Sequence, residues 1–88
     1  FLHAQVGNVS LFLSGLYPER IQARAERRAA PGLAFYEQVG RTNYRLAADH
    51  RQARSRGLAV VFHTVADRFG DVRRGLNDMT ERYLFITS

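Results

Sequence analysis

Between Leu58 and Tyr83 the large apolar residues fall at Leu58, Phe62, Val65, Phe69, Val72, Leu76, Met79 and Tyr83. Their steps alternate between four and three, so they line one face of a helix or of a helix pair. Such a stripe is not stable alone in water, because most helical stability comes from packing an amphipathic face against something else. The remainder of the chain is expected to fold around it. Within the stripe, Gly70-Asp71 offers a helix end followed by a helix cap, which predicts two consecutive helices rather than one straight rod. Beyond it, Phe85, Ile86 and Thr87 form an apolar, extended-leaning tail, expected to dock on the core or to join a contact surface.

The segment before the stripe repeats the pattern. Leu2, Val6, Val9, Leu13 and Leu16 again step by four and three, with Phe12 widening the face, and predict a first helix that buries this face. Gly15 is expected to end it. Tyr17-Pro18-Glu19 restarts the chain, since proline is tolerated at the first helical position and an acid there complements the helix dipole. A short second helix then runs over about 18–29, with Ile21, Ala25 and Ala29 inward. Its other face carries Arg20, Arg24, Arg27 and Arg28. These suit an anion- or nucleic-acid-facing patch, and equally an ordinary solvated face, the favoured reading for arginines without interleaved aromatics.

A third helix is predicted over about 33–54. Tyr36, Asn43 and His50 recur on it at seven-residue intervals with Tyr44 alongside. Buried amides and imidazoles need partners, so this column reads either as an internal network that fixes helix register or as a small polar pocket. The basic turn holding Arg51, Arg54 and Arg56 follows, with Ser55 a candidate cap for the next helix.

An 88-residue chain allows one domain spanning residues 1–88, in a size range where folding buries only about 60 to 65 percent of the unfolded surface. Hydrophobic residues make up 45% and charged ones 24%, outside the signature of disorder. Without cysteine there is no disulfide framework and no thiolate metal site, which fits a cytoplasmic setting. The chain begins inside an apolar pattern at Phe1 and Leu2 without an initiator methionine, as expected of a fragment of a longer polypeptide. No apolar run approaches the roughly 18 residues needed to span a bilayer, so no membrane insertion is expected.

All 13 basic residues are arginine against 8 acids, giving a net charge of +5. Arginine's planar fork favours carboxylates, phosphates and aromatic faces. Motifs for catalysis are missing: there is no thiol, no Gly-x-Ser-x-Gly elbow, and no Walker or dinucleotide glycine pattern. His63, Asp67 and Asp71 share a spacing of four and form the best metal candidate, though ion pairing of His63 with Asp67 and of Asp71 with Arg74 accounts for the same residues. After Gly57 the helix starts Leu58-Ala59-Val60-Val61-Phe62, a core sequence rather than a DNA-reading one. Any nucleic-acid contact would fall to the arginine groups at 20–28, 51–56 and 73–74.

The segments Gly7-x-x-Ser10-Leu11-Phe12-x-x-Gly15-x-x-Pro18-Glu19 and Phe35-Tyr36-x-x-x-Gly40-x-x-x-Tyr44 resemble uncharacterised bacterial helical proteins. The resemblance implies an all-helical architecture and a bacterial origin, with no activity attached. It draws attention to Tyr36, Gly40 and Tyr44, spaced by four, where Gly40 would admit a neighbouring helix and the tyrosines would close around it.

Taken together, these features predict an all-α, compact bundle of four or five helices. The expected role is a non-enzymatic protein-interaction or assembly module, self-associating, with acidic partner surfaces favoured and no cofactor. An accessory nucleic-acid-binding domain and a small-ligand or metal-binding regulatory domain are the alternatives.

Overall fold

A computed structural model describes residues 2–87, with side chains through Tyr83. The chain is all-α. Its helices are α1 (Leu2–Leu16), α2 (Pro18–Arg28), α3 (Leu33–Ala48), α4 (Arg51–Ser55), α5 (Leu58–Asp67) and α6 (Phe69–Thr87). The expected bundle is therefore built of six helices among the described residues, one of them a single turn. α1 packs on α3 and α6, and α3 packs on α5, while α2 leans on α1 and α3 more lightly. The Cα trace measures 43 × 32 × 18 Å. A helix with its side chains is about 10 to 12 Å across, so the thin axis holds few layers and many helix faces lie at the surface.

The core lies along the middle of the Leu58 to Tyr83 stripe. Leu11, Tyr44, Ala66 and Phe69 form the buried centre, with Phe62, Val65 and Leu76 packed against it. Phe69 is 0% exposed and sits where Gly40 leaves room on α3; a methyl at Gly40 would collide with the Phe69 ring. Gly40 thus admits a neighbour, as its spacing with Tyr36 and Tyr44 suggests. The two tyrosines do not close around it together, since Tyr44 lies in the core and Tyr36 at a surface recess.

The stripe is two helices, but the break falls at Arg68 rather than at Gly70-Asp71. There the last carbonyls of α5 are taken by a side chain: Arg41 Nη1 donates to Ala66 O at 3.0 Å and to Asp67 O at 3.4 Å. This satisfies acceptors that a helix end leaves orphaned. Gly70 lies in the first turn of α6 and makes space instead of ending a helix, because a Cβ there would stand 2.9 Å from Glu37 Oε1. Past the break, the inward-facing residues of α6 are Phe69, Gly70, Arg73, Leu76, Asn77 and Thr80, so Val72, Met79 and Tyr83 turn to the surface. The tail was expected to be extended, yet α6 continues through Thr87; whether Phe85 and Ile86 dock falls outside the described side chains.

The first helix is rotated from its expected orientation. Its buried residues are Ala4, Gly7, Ser10, Leu11, Ser14 and Gly15, and the larger stripe points away from them, with Leu2 73%, Val9 56% and Leu13 39% exposed. The cause is distance between helix axes. A Cβ at Gly7 would stand 3.0 Å from carbons of the Tyr44 ring, and one at Gly15 would stand 2.9 Å from Leu76 Cβ and 3.2 Å from Arg73 O. Small residues let α1 lie close against α3 and α6, and Ser14 is accommodated because its hydroxyl donates to Ser10 O at 2.7 Å within the helix. Gly15 accordingly serves close packing, one residue before the helix ends at Leu16.

The third helix is also shorter than expected. It stops at Ala48, and His50 caps the following turn by accepting a hydrogen bond from Gln52 N at its Nδ1, 3.2 Å away. α5 is capped at Gly57 in the left-handed region, φ 70°, and not by Ser55, whose hydroxyl donates to Gln52 O.

Candidate functional site

Three of the four polar candidates on the third helix have structural partners. Tyr44 is buried, and its hydroxyl donates to Asn8 Oδ1 at 2.5 Å while its ring covers Gly7. Asn43 Nδ2 donates to Val39 O at 2.8 Å, and Asn43 Oδ1 lies 2.9 Å from His3 Nδ1, tying α3 to the start of α1. His50 is at the α4 cap, beyond the break. The seven-residue column is interrupted there.

Burial raises the Tyr44 phenol above its ordinary value, because the charged form would be desolvated. A raised folded-state pKa contributes stability that is complete below the unfolded pKa of about 10 and is lost as pH rises through the folded value. Wild-type protein is thus expected to lose stability with rising pH above about 10, and Tyr44→Phe to lack that component. Urea unfolding of both proteins across this range measures it; parallel curves would sink the assignment.

Tyr36 goes elsewhere. It joins Leu13, Tyr17, Arg20, Ile21, Arg24, Ala30 and Pro31 around a recess of about 420 Å³. The recess forms at a corner. Pro18 starts α2 directly after α1, Ile21 is buried beneath it, and α2 ends at Ala29 in the left-handed conformation, φ 52°. Gln22 Oε1 accepts the Leu33 N–H at 3.2 Å, clipping α2 to one of the unpaired donors that begin α3.

The basic residues at this corner are interleaved with aromatics, which the α2 segment read alone did not reveal. The Arg20 guanidinium stands 5.7 Å from the centre of the Tyr17 ring, within cation–π range. Tyr17 precedes Arg20 by three residues and could have been found by extending the helical face one residue past Pro18. Tyr36 comes from α3 and carries no such local signal. Among the described residues, the ion pairs are Arg41 with Glu37, Arg45 with Asp67, Arg54 with Asp49 and Arg74 with Asp71; neither Arg20 nor Arg24 is among them. A shallower groove on the outer side of α2 is lined by Glu19, Arg20, Ala23, Arg24 and Arg27. Arg28 is exposed at the end of α2, and Arg51, Arg54 and Arg56 are exposed around α4, beyond the other end of α3.

The metal candidate is not assembled. Asp67 Oδ1 pairs with Arg45 at 3.6 Å instead of with His63, and Asp71 Oδ1 pairs with Arg74 at 2.5 Å. Among the described residues no three His, Cys, Asp or Glu side chains come together as a metal site. Nor is any described helix long and apolar enough to cross a membrane. Compared with known proteins, the chain matches no family model, no curated protein and no solved structure.

Proposed function

We propose that the chain is a non-enzymatic helical assembly module that associates with further copies of itself through the outer face of α1. What supports this is the outward stripe of Leu2, Val9, Phe12 and Leu13 on a helix whose opposite face is already packed. An apolar stripe on a helix calls for a packing partner, and this one, interrupted by Gln5, has none within the described chain. The flattened shape points the same way: the radius of gyration is 14.2 Å, against about 12 Å for a globule of this length. Unpaired arginines on α2 add a preference for acidic partner surfaces.

The test is the mass in solution of the wild type and of Val9→Glu. Val9 is exposed, so a carboxylate there leaves the core intact and places a charge within the contact. Wild-type protein is expected to sediment as an oligomer at micromolar concentration and Val9→Glu as a monomer. A monomeric wild type would sink the proposal. Nucleic-acid binding is the competing reading; it is less favoured because the arginine groups at 20–28, 51–56 and 73–74 sit on separate elements, α2, the α4 turn and α6, whereas a phosphate backbone needs a continuous basic track.

A further inference from the structure

The corner recess calls for an occupant of different chemistry from the α1 face. We propose that it is a binding site for a small aromatic carboxylate. This goes beyond the assembly reading; the two surfaces meet at Leu13, which lies at the edge of the outward α1 stripe and also lines the recess.

The first support is size and lining. About 420 Å³ lies within the range of roughly 300 to 1,000 Å³ usual for small-molecule sites, which combine an apolar lining with a few placed polar groups. Leu13, Ile21, Ala30 and Pro31 give the apolar floor, and the rings of Tyr17 and Tyr36 give aromatic surface. The second support is charge. Arg20 and Arg24 are one helical turn apart on α2, so both guanidinium groups can reach one anion. Neither has an acidic partner among the described residues, unlike Arg41, Arg45, Arg54 and Arg74. A guanidinium presents its donors in a plane that matches a carboxylate two bonds at a time.

Local construction favours a standing site. The Tyr17 ring under Arg20 restricts the guanidinium, Ile21 anchors the middle of α2, and the Gln22 to Leu33 hydrogen bond holds the far wall. Pro31 adds a fixed backbone angle to the rim. Glu19 lies in the outer groove and does not line the recess. With no acid or histidine in its lining, the recess suits an anion rather than a metal. An extended nucleic-acid backbone would need a longer basic track.

Binding is tested by titrating the isotope-labelled full chain with phenylacetate, with phenylacetamide as the uncharged match and inorganic phosphate as charge without a ring. Amide resonances within residues 13–36 are expected to move with phenylacetate. Phenylacetamide should bind on the order of 10-fold more weakly, the loss of one charge-assisted contact, and phosphate more weakly than phenylacetate. Arg20→Gln with Arg24→Gln should reduce phenylacetate to the level of the amide; both arginines are exposed, and circular dichroism verifies the helices. The pair Arg20→Lys and Arg24→Lys retains the charge without the planar fork and should also weaken binding. Val9→Glu, which lies outside the recess lining, should not weaken it. Absence of binding, equal affinity for acid and amide, stronger binding of bare phosphate, shifts mapping to the Leu2 to Val9 face, or loss of binding in Val9→Glu would each overturn the assignment.

Discussion

Replacing Phe69 by alanine is expected to remove about 3 to 5 kcal/mol of folding stability, the usual cost of emptying a phenylalanine site in a packed core. Phe69 is 0% exposed in the buried centre, with its ring 6.2 Å from that of Tyr44. A domain of this length has a total stability on the order of 4 to 13 kcal/mol, so this variant removes a large share of it. Few other residues could do so. The remaining buried apolar positions are mostly alanines, at 4, 47, 48, 53 and 66, beside Leu11, Ile21 and Tyr44.

The same contact makes a sharper expectation at Gly40. Alanine normally stabilises a helix interior by about 1 kcal/mol relative to glycine, but a methyl there meets the Phe69 ring. In a rigid interior such overpacking costs about 1 to 3 kcal/mol. Gly40→Ala should therefore destabilise the wild type and become neutral or stabilising in a Phe69→Leu background, where the ring is gone. Urea midpoints for the two single variants and the double variant measure this reversal of sign. Additive effects across the cycle would mean that the two residues do not share the space between α3 and α6.

Helix positions were legible in the sequence to the extent that local chemistry sets them. Pro18 starts α2, Gly57 precedes α5, and the step from α5 to α6 falls two residues before the glycine that suggested it. Orientation was less legible. In α1 the periodic stripe of large residues is real, but periodicity identifies a face without saying what it faces. Gly15 reads locally as an end signal, whereas together with Ala4, Gly7, Ser10 and Ser14 it forms the face that packs. That choice depends on Tyr44 and Leu76, which come from distant parts of the chain. Likewise, His50 looked continuous with Asn43 until the chain turned at Asp49, and capping used the imidazole that the seven-residue spacing had placed on a helix face. The recess was hidden for a related reason: its arginines, its two tyrosines and Pro31 come from three successive elements, and only the corner brings them together.

Leu11 and Leu13 give the most direct measurement of which way α1 faces. They are the same residue type two positions apart on the same helix, so propensity and composition cancel between them, and only their surroundings differ. Leu11 is 7% exposed within the core cluster, while Leu13 is 39% exposed at the edge of the outward stripe. Leu11→Ala is expected to cost about 2 to 4 kcal/mol, as buried leucines do. Leu13→Ala should cost about 1 kcal/mol when the protein is dilute, since part of that side chain is already open to water. At high concentration the order of effects changes in kind. A partner copy covering Leu13 adds stability by mass action, so the wild-type melting temperature should rise with protein concentration, and Leu13→Ala should flatten that rise while Leu11→Ala shifts the whole curve downward. If Leu13→Ala proved the costlier substitution in dilute protein, the large stripe would be the true core face of α1, and the surface assigned to self-association would not exist.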